Sequence, residues 1–214
     1  MGGLLVLVED ALIKAAVETA SAVRPGGKIA VLAETCGEEK LPGAPVLGGF
    51  ACAKECRYAF DSAAVALNNG ALRLHWMNRL QCMGYIIVSL IHPLSALSAN
   101  AAIGEGTFVH LGAVVGAGSS VGRGCMLCPG CVVSCGCTVR DGANLCCGAH
   151  VDSGCSIGYR ASVGAGAVIA AGVCVGDDAV VCPGTVVIKD VGEAMIVAGS
   201  PARVPGNAAF DCVR

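Results

Sequence analysis

A chain of 214 residues is long enough to bury a sizeable core in one or two domains, which excludes a disulfide-dependent miniprotein. Hydrophobic residues make up 55% and charged residues 14%, yet the uncharged stretch 80–104 is interrupted by Gln81, His92, Pro93 and Asn100, so no run supplies the roughly 20 apolar residues of a spanning helix. A formal net charge of -2 with no basic run gives no electrostatic reason to expect nucleic acid, and the absence of an export signal at the N-terminus points to a cytoplasmic protein whose 15 cysteines stay reduced.

Leu4 to Val8 reads as a short apolar strand, followed by Asp10 as N-cap of a helix over Ala11 to Val23 with Leu12, Ala15, Ala16 and Ala20 on its apolar stripe. Lys28 to Ala33 is a second strand, and Cys36 to Gly49 a loop punctuated by Gly and Pro. Ala63 to Leu67 is a third strand, Ala71 to Met83 a helix ended by Gly84, and Tyr85 to Ile91 a further strand. Strands alternating with helices predict a small, Rossmann-like parallel α/β domain over residues 1–91.

From Leu97 the pattern changes. Stepping by six through Ile103, Val109, Val115 and onward to Val187, every one of sixteen positions is Leu, Ile or Val, and two residues before each stands a small or β-branched residue. Such a period predicts a three-sided coil of short parallel strands, 18 residues per turn, over residues 92–188, with a C-terminal segment over 189–214. Glycines at the corners, among them Gly104, Gly116, Gly122, Gly158, Gly164 and Gly176, are expected to supply unusual backbone angles. Cys125, Cys131, Cys137 and Cys155 fall at the small inward position, where a thiol packs as a small hydrophobe. Cys128 and Cys146 stack outward on neighbouring turns, with Cys182 two turns beyond; this spacing lacks the arrangement of a closed zinc site, and no metal is expected. His92 and His110 share one outward column and read as structural.

Certain residues carry a resemblance: Pro45-Val46-Leu47-Gly48-Gly49, Asn68-Asn69 with Arg73, Leu90-Ile91-His92-Pro93 running straight into hexapeptide repeats, then Lys189-Asp190-Val191 and Ala198-Gly199-Ser200-Pro201-Ala202-Arg203. Over nearly its whole length the chain resembles the sialic-acid O-acetyltransferases and nucleotide-sugar N-acetyltransferases of the NeuD/PglD type, within the hexapeptide-repeat acyltransferases. The resemblance implies a left-handed parallel β-helix behind the α/β domain, a homotrimer, acetyl-CoA as co-substrate between neighbouring coils, and a sugar or nucleotide-sugar acceptor reached by the N-terminal domain at Asn68 and Asn69.

In that family a His followed by an acidic residue removes the acceptor's proton as it attacks the thioester. The matching segment here is Gly130-Cys131-Val132-Val133-Ser134-Cys135-Gly136-Cys137, so Cys135 stands for the base and Gly136 for its carboxylate partner. A second family His, beside the cofactor, corresponds to Asn144. A thiol, with an ordinary pKa of about 8.5, suits base work at neutral pH less well than an imidazole at about 6.5. His150, with Asp152 nearby, is a substitute base or else a surface residue on its strand. The resemblance puts pantetheine contacts at Ala165 and Pro183 and phosphate partners at Lys189 and Arg203. Val8-Glu9-Asp10 stands where the family has a Gly-rich turn, and two carboxylates there repel phosphate. Two functions follow: an acetyl-CoA-dependent sugar acetyltransferase, or a trimer that keeps the scaffold and has lost the catalytic pair.

Overall fold

The computed structural model describes residues 2–9, 12–34 and 44–204. Its first part is a four-stranded parallel sheet, ordered β2-β1-β3-β4, from β1 (Gly3–Val8), β2 (Ile29–Leu32), β3 (Phe60–Ala66) and β4 (Ile86–Ile87). Helices α1 (Ile13–Val23), α2 (Ala53–Cys56) and α3 (Gly70–Cys82) accompany it. Because successive side chains of a strand point to opposite faces, Leu4, Val6 and Val8 pack with Ile13, Ala16, Val17 and Ala20 of α1, while Leu5 and Leu7 pack with Met77 and Leu80 of α3. A sheet covered on both faces explains why β1 is a continuous apolar run. Leu12 occupies the N-cap of α1 without a side-chain hydrogen bond; the expected cap Asp10, Ala11 and loop residues 35–43 lie outside the described residues.

The strand expected over 85–91 is two strands. Ile86–Ile87 closes the small sheet as β4, whereas Leu90–Ile91 pairs with Phe108–Val109 and opens the coil. From there two-residue strands recur every six residues and stack in parallel at an 18-residue register, forming three sheets of seven, six and five strands. The first face carries Leu90, Phe108, Met126, Asn144, Ser162, Val180 and, after a shorter step, Ile196; the second Ala96, Val114, Val132, His150, Val168 and Val186; the third Ala102, Ser120, Thr138, Ser156 and Cys174. The aliphatic residues of the six-residue period fill the interior, with the small inward residues between them.

The corner glycines work differently from the sequence expectation. Gly104, Gly116, Gly122, Gly158, Gly164 and Gly176 have ordinary backbone angles, and what they lack is space: a Cβ on Gly164 would meet Pro183 N at 2.6 Å and Cys182 C at 2.7 Å. Left-handed angles fall two residues later, as at Gly106, Gly136 and Gly166, and the equivalent sites Arg160 and Asp178 adopt them without being glycine. The inward thiols also do more than pack. Cys125 Sγ donates to Arg140 O at 3.2 Å, Cys137 to Asp152 O at 3.0 Å and Cys155 to Ala170 O at 3.1 Å, the role that Thr107 and Ser119 hydroxyls play toward Gly122 O and Ser134 O. Each joins one turn to the corner carbonyl of the next.

The two parts pack directly. The apolar face of α1 covers Leu90, Phe108 and Met126 on the first face, and Thr19 Oγ1 lies 3.2 Å from Nδ1 of the buried His110. Among the described residues no helix is long and apolar enough to cross a membrane.

Candidate active site

Three corners separate the three faces, and the corner a residue occupies decides what it can meet. Cys135 is exposed at the corner between the second and third faces, in a column with Ala117 and Ser153; its carbonyl accepts from Gly154 N at 3.0 Å, and Gly136 N donates to Ala117 O at 2.9 Å. Nothing lies within 4 Å of a Cβ built on Gly136, whose φ is +68°. His150 is half-buried on the second face in register with Val132 and Val168, so it stacks beside valines rather than over Cys135. Asp152 Oδ1 accepts Ser153 N at 2.7 Å, which turns its carboxylate toward its own loop.

Ala165 and Pro183 are exposed at the other end of the second face, at the corner it shares with the first. They stack in one column with Cys147: Gly166 N donates to Cys147 O and Gly184 N to Ala165 O, both at 2.9 Å. Cys128, Cys131 and Cys146 crowd the same corner. Burial pushes the thiols of Cys128 and Cys146 up and that of Cys131 up to about 12, and neighbouring thiols add to each, so all three stay protonated at neutral pH. Cys182, expected outward, is buried. Among the described residues no three His, Cys, Asp or Glu side chains converge as a metal site requires.

Lys189 and Arg203 are exposed and line a cavity of about 480 Å³ at the end of the coil, with Ile188, Asp190 and Met195. Asp190 Oδ1 accepts Cys174 N at 2.8 Å.

Asn68 and Asn69 follow β3 at the carboxyl end of the small parallel sheet, the edge where open α/β sheets bind ligands. Both are exposed, and Asn69 Oδ1 caps α3 by accepting Leu72 N at 2.9 Å. Glu9 sits at the same edge, its amide donating to Ala66 O at 3.3 Å. The loop meets the coil through Asn144, whose Nδ2 donates to Asn68 O at 2.5 Å and whose Oδ1 accepts Arg73 Nη2 at 2.8 Å.

Arg73 is the residue whose role the sequence left unassigned. It is fully buried and reaches Gly124 O at 2.5 Å through Nε, Leu67 O through Nη1, and Gly142 O at 2.9 Å through Nη2. Burial lowers its pKa to about 10, still well above neutrality, so the guanidinium keeps its charge. A signal was present: Arg73, Met77 and Leu80 are spaced to share one helix face, and that face is the buried one. His110 titrates below its ordinary range, chiefly because it is buried and secondarily because of His92.

A scan against protein-family models and a search of curated proteins found no match. Solved structures do match over nearly the full length. PerB from Caulobacter crescentus, a perosamine N-acetyltransferase solved with CoA and GDP-perosamine, is 27% identical over 96% of this chain and 98% of its own, with a TM-score of 0.89. The acetyltransferase domain of PglB from Neisseria gonorrhoeae, solved with acetyl coenzyme A, is 26% identical over 96% of this chain and 100% of its own, with a TM-score of 0.87. WeeI from Acinetobacter baumannii shares the fold at 21% identity, 94% and 100% coverage and a TM-score of 0.85. The Caulobacter enzyme has also been solved, with the same two ligands, after replacement of one histidine by Asn or by Ala.

Proposed function

We propose that the chain, which matches solved sugar acetyltransferases with hexapeptide-repeat, left-handed β-helix folds over nearly its full length, transfers the acetyl group of acetyl-CoA to an amino or hydroxyl group of a sugar or nucleotide sugar, in the biosynthesis of cell-surface glycans. The observation that carries this reading is the match of both parts, in the same order, to an enzyme solved with CoA and a nucleotide amino sugar. The non-catalytic alternative is not favoured, because the neighbours solved with CoA or acetyl coenzyme A are acetyltransferases.

In the proposed reaction the acceptor's lone pair attacks the thioester carbon, its proton leaves for a base, and the CoA thiolate departs with a proton. Cys135 stands in place of the base, Gly136 in place of its carboxylate, and His150 is the weaker substitute. Ala165 and Pro183 flank the pantetheine arm, Pro183 through packing or its carbonyl since it has no N–H. Lys189 and Arg203 hold the nucleotide phosphates of the donor. Asn68 and Asn69 face the acceptor.

This reading requires more than one copy of the chain. Cys135 and the Ala165–Pro183 column occupy opposite ends of the second face, so one coil cannot bring them to a common substrate, whereas the corner of one copy against that of its neighbour can. The second face between them presents Val114 and Val168, each over a third exposed, and supports direct transfer at the interfaces of a homotrimer. Free thiols among the described residues suit a cytoplasmic location.

The test is calorimetric titration with acetyl-CoA, followed by mass spectrometry of GDP-perosamine and a panel of amino sugars incubated with enzyme and donor. Saturable donor binding and a product heavier by one acetyl group are expected. An absence of donor binding at millimolar acetyl-CoA removes the reading.

A further inference from the structure

We propose that Asn144 is a positioning residue: together with Arg73 it locks the Asn68–Asn69 loop onto the coil and so sets where an acceptor held at that loop stands relative to the donor. The lock is a matter of geometry, and its catalytic consequence rests on the acetyl-transfer reading given above.

Both ends of the Asn144 amide are committed. A guanidinium can only donate and a backbone carbonyl can only accept, so Oδ1 must face Arg73 and Nδ2 must face Asn68 O, which fixes the amide's orientation by chemistry. Asn offers an acceptor and a donor a short way apart in one plane, as these two partners demand. An Asp would satisfy the guanidinium yet turn a lone pair toward Asn68 O, and a His carries its donor and acceptor on opposite sides of a ring. Arg73 extends the lock on either side. It draws Leu67 O, the residue before the loop, and the coil carbonyls of Gly124 and Gly142 around one buried charge. Close packing adds a third constraint, because Gly70, directly after the loop, lies against Gly142, where a Cβ could not fit beside the carbonyl.

The loop is thus pinned at Leu67, Asn68 and Gly70 to two consecutive turns of the coil. An acceptor seated on it inherits that height along the coil axis, and acyl transfer is sensitive to displacements of about 1 Å between reacting groups.

Asn144→Asp separates the lock from simple stability, since it keeps an acceptor for Arg73 and removes only the donor to Asn68. With the full chain, the expected result is a denaturation midpoint lowered less than in Asn144→Ala, acetyl-CoA affinity equal to the parent's, and a KM for GDP-perosamine raised about tenfold. Amide deuterium exchange over Gly70 to Leu72 is expected to speed up by about the same factor. Asn144→Ala should show the same KM and exchange effects with some loss of stability. Unchanged exchange in both variants overturns the lock whatever the activity. Loss of acetyl-CoA binding in Asn144→Asp overturns it as well, because position 144 would then be a donor contact. If the parent itself binds no acetyl-CoA, the functional reading falls while the exchange measurement still decides the lock.

Discussion

Gly136 leaves room for a side chain, as do Gly118, Gly148 and Gly166 at equivalent corners. Nothing lies within 4 Å of an added Cβ, and the cost of a side chain is confined to its left-handed backbone, about 1 kcal/mol. Asp178, seven repeats further on, already holds a φ of 55°, so an aspartate is a conformation this scaffold accepts. The paired change Cys135→His with Gly136→Asp is therefore expected to fold and, by supplying a base with its own carboxylate, to raise acetyl transfer about a hundredfold in a coupled CoA-release assay. A variant that binds acetyl-CoA normally and shows no gain would remove the Cys135 corner as the reacting site. Slow transfer is expected of the parent, because Asp152 is turned into its own loop and His150 stacks among valines, so neither stands beside Cys135 as a base with its carboxylate.

At the scale of the repeating strand, two kinds of glycine alternate, and they fail differently. Gly164→Ala drives a Cβ into the backbone of Cys182 and Pro183 and is expected to cost about 3 kcal/mol in chemical denaturation. Gly118→Ala, at φ +69° with open space around it, is expected to cost about 1 kcal/mol. Equal losses in the two variants would contradict this division. The period of six made the coil legible in the sequence, because a single inward aliphatic per face repeats without interruption. What it could not reveal was why each glycine is needed, since neither the spacing between turns nor the backbone angle is written in composition. Helix ends and strand limits shifted by one to three residues, as at β3, which begins at Phe60 where Gly3 of β1 gives its backbone a partner. The residue types proposed for the site came through family resemblance alone. The lock at Asn144 was not, because Asn68, Arg73 and Asn144 meet only when the two parts dock.

For the whole molecule, the proposed trimer rests on the second face. Val168→Glu buries a charge wherever that face is covered, so the parent is expected to sediment at three times its 21.2 kDa chain mass and the variant at the single-chain mass with acetyl transfer lost. A parent that sediments as a single chain refutes the trimer, and with it a site shared between corners. The three-sided cross-section also limits how such a chain can change length. Deleting one hexapeptide leaves every inward residue inward, so the coil still closes and stays soluble, yet it rotates everything downstream by one face. Cys135 and Ala165 would then trade their relation to each other without any visible defect in folding. Insertions and deletions that preserve function must come in whole turns, and a six-residue change beyond Asn144, where the α/β part no longer packs on the coil, separates the two corners while leaving the docked interface intact.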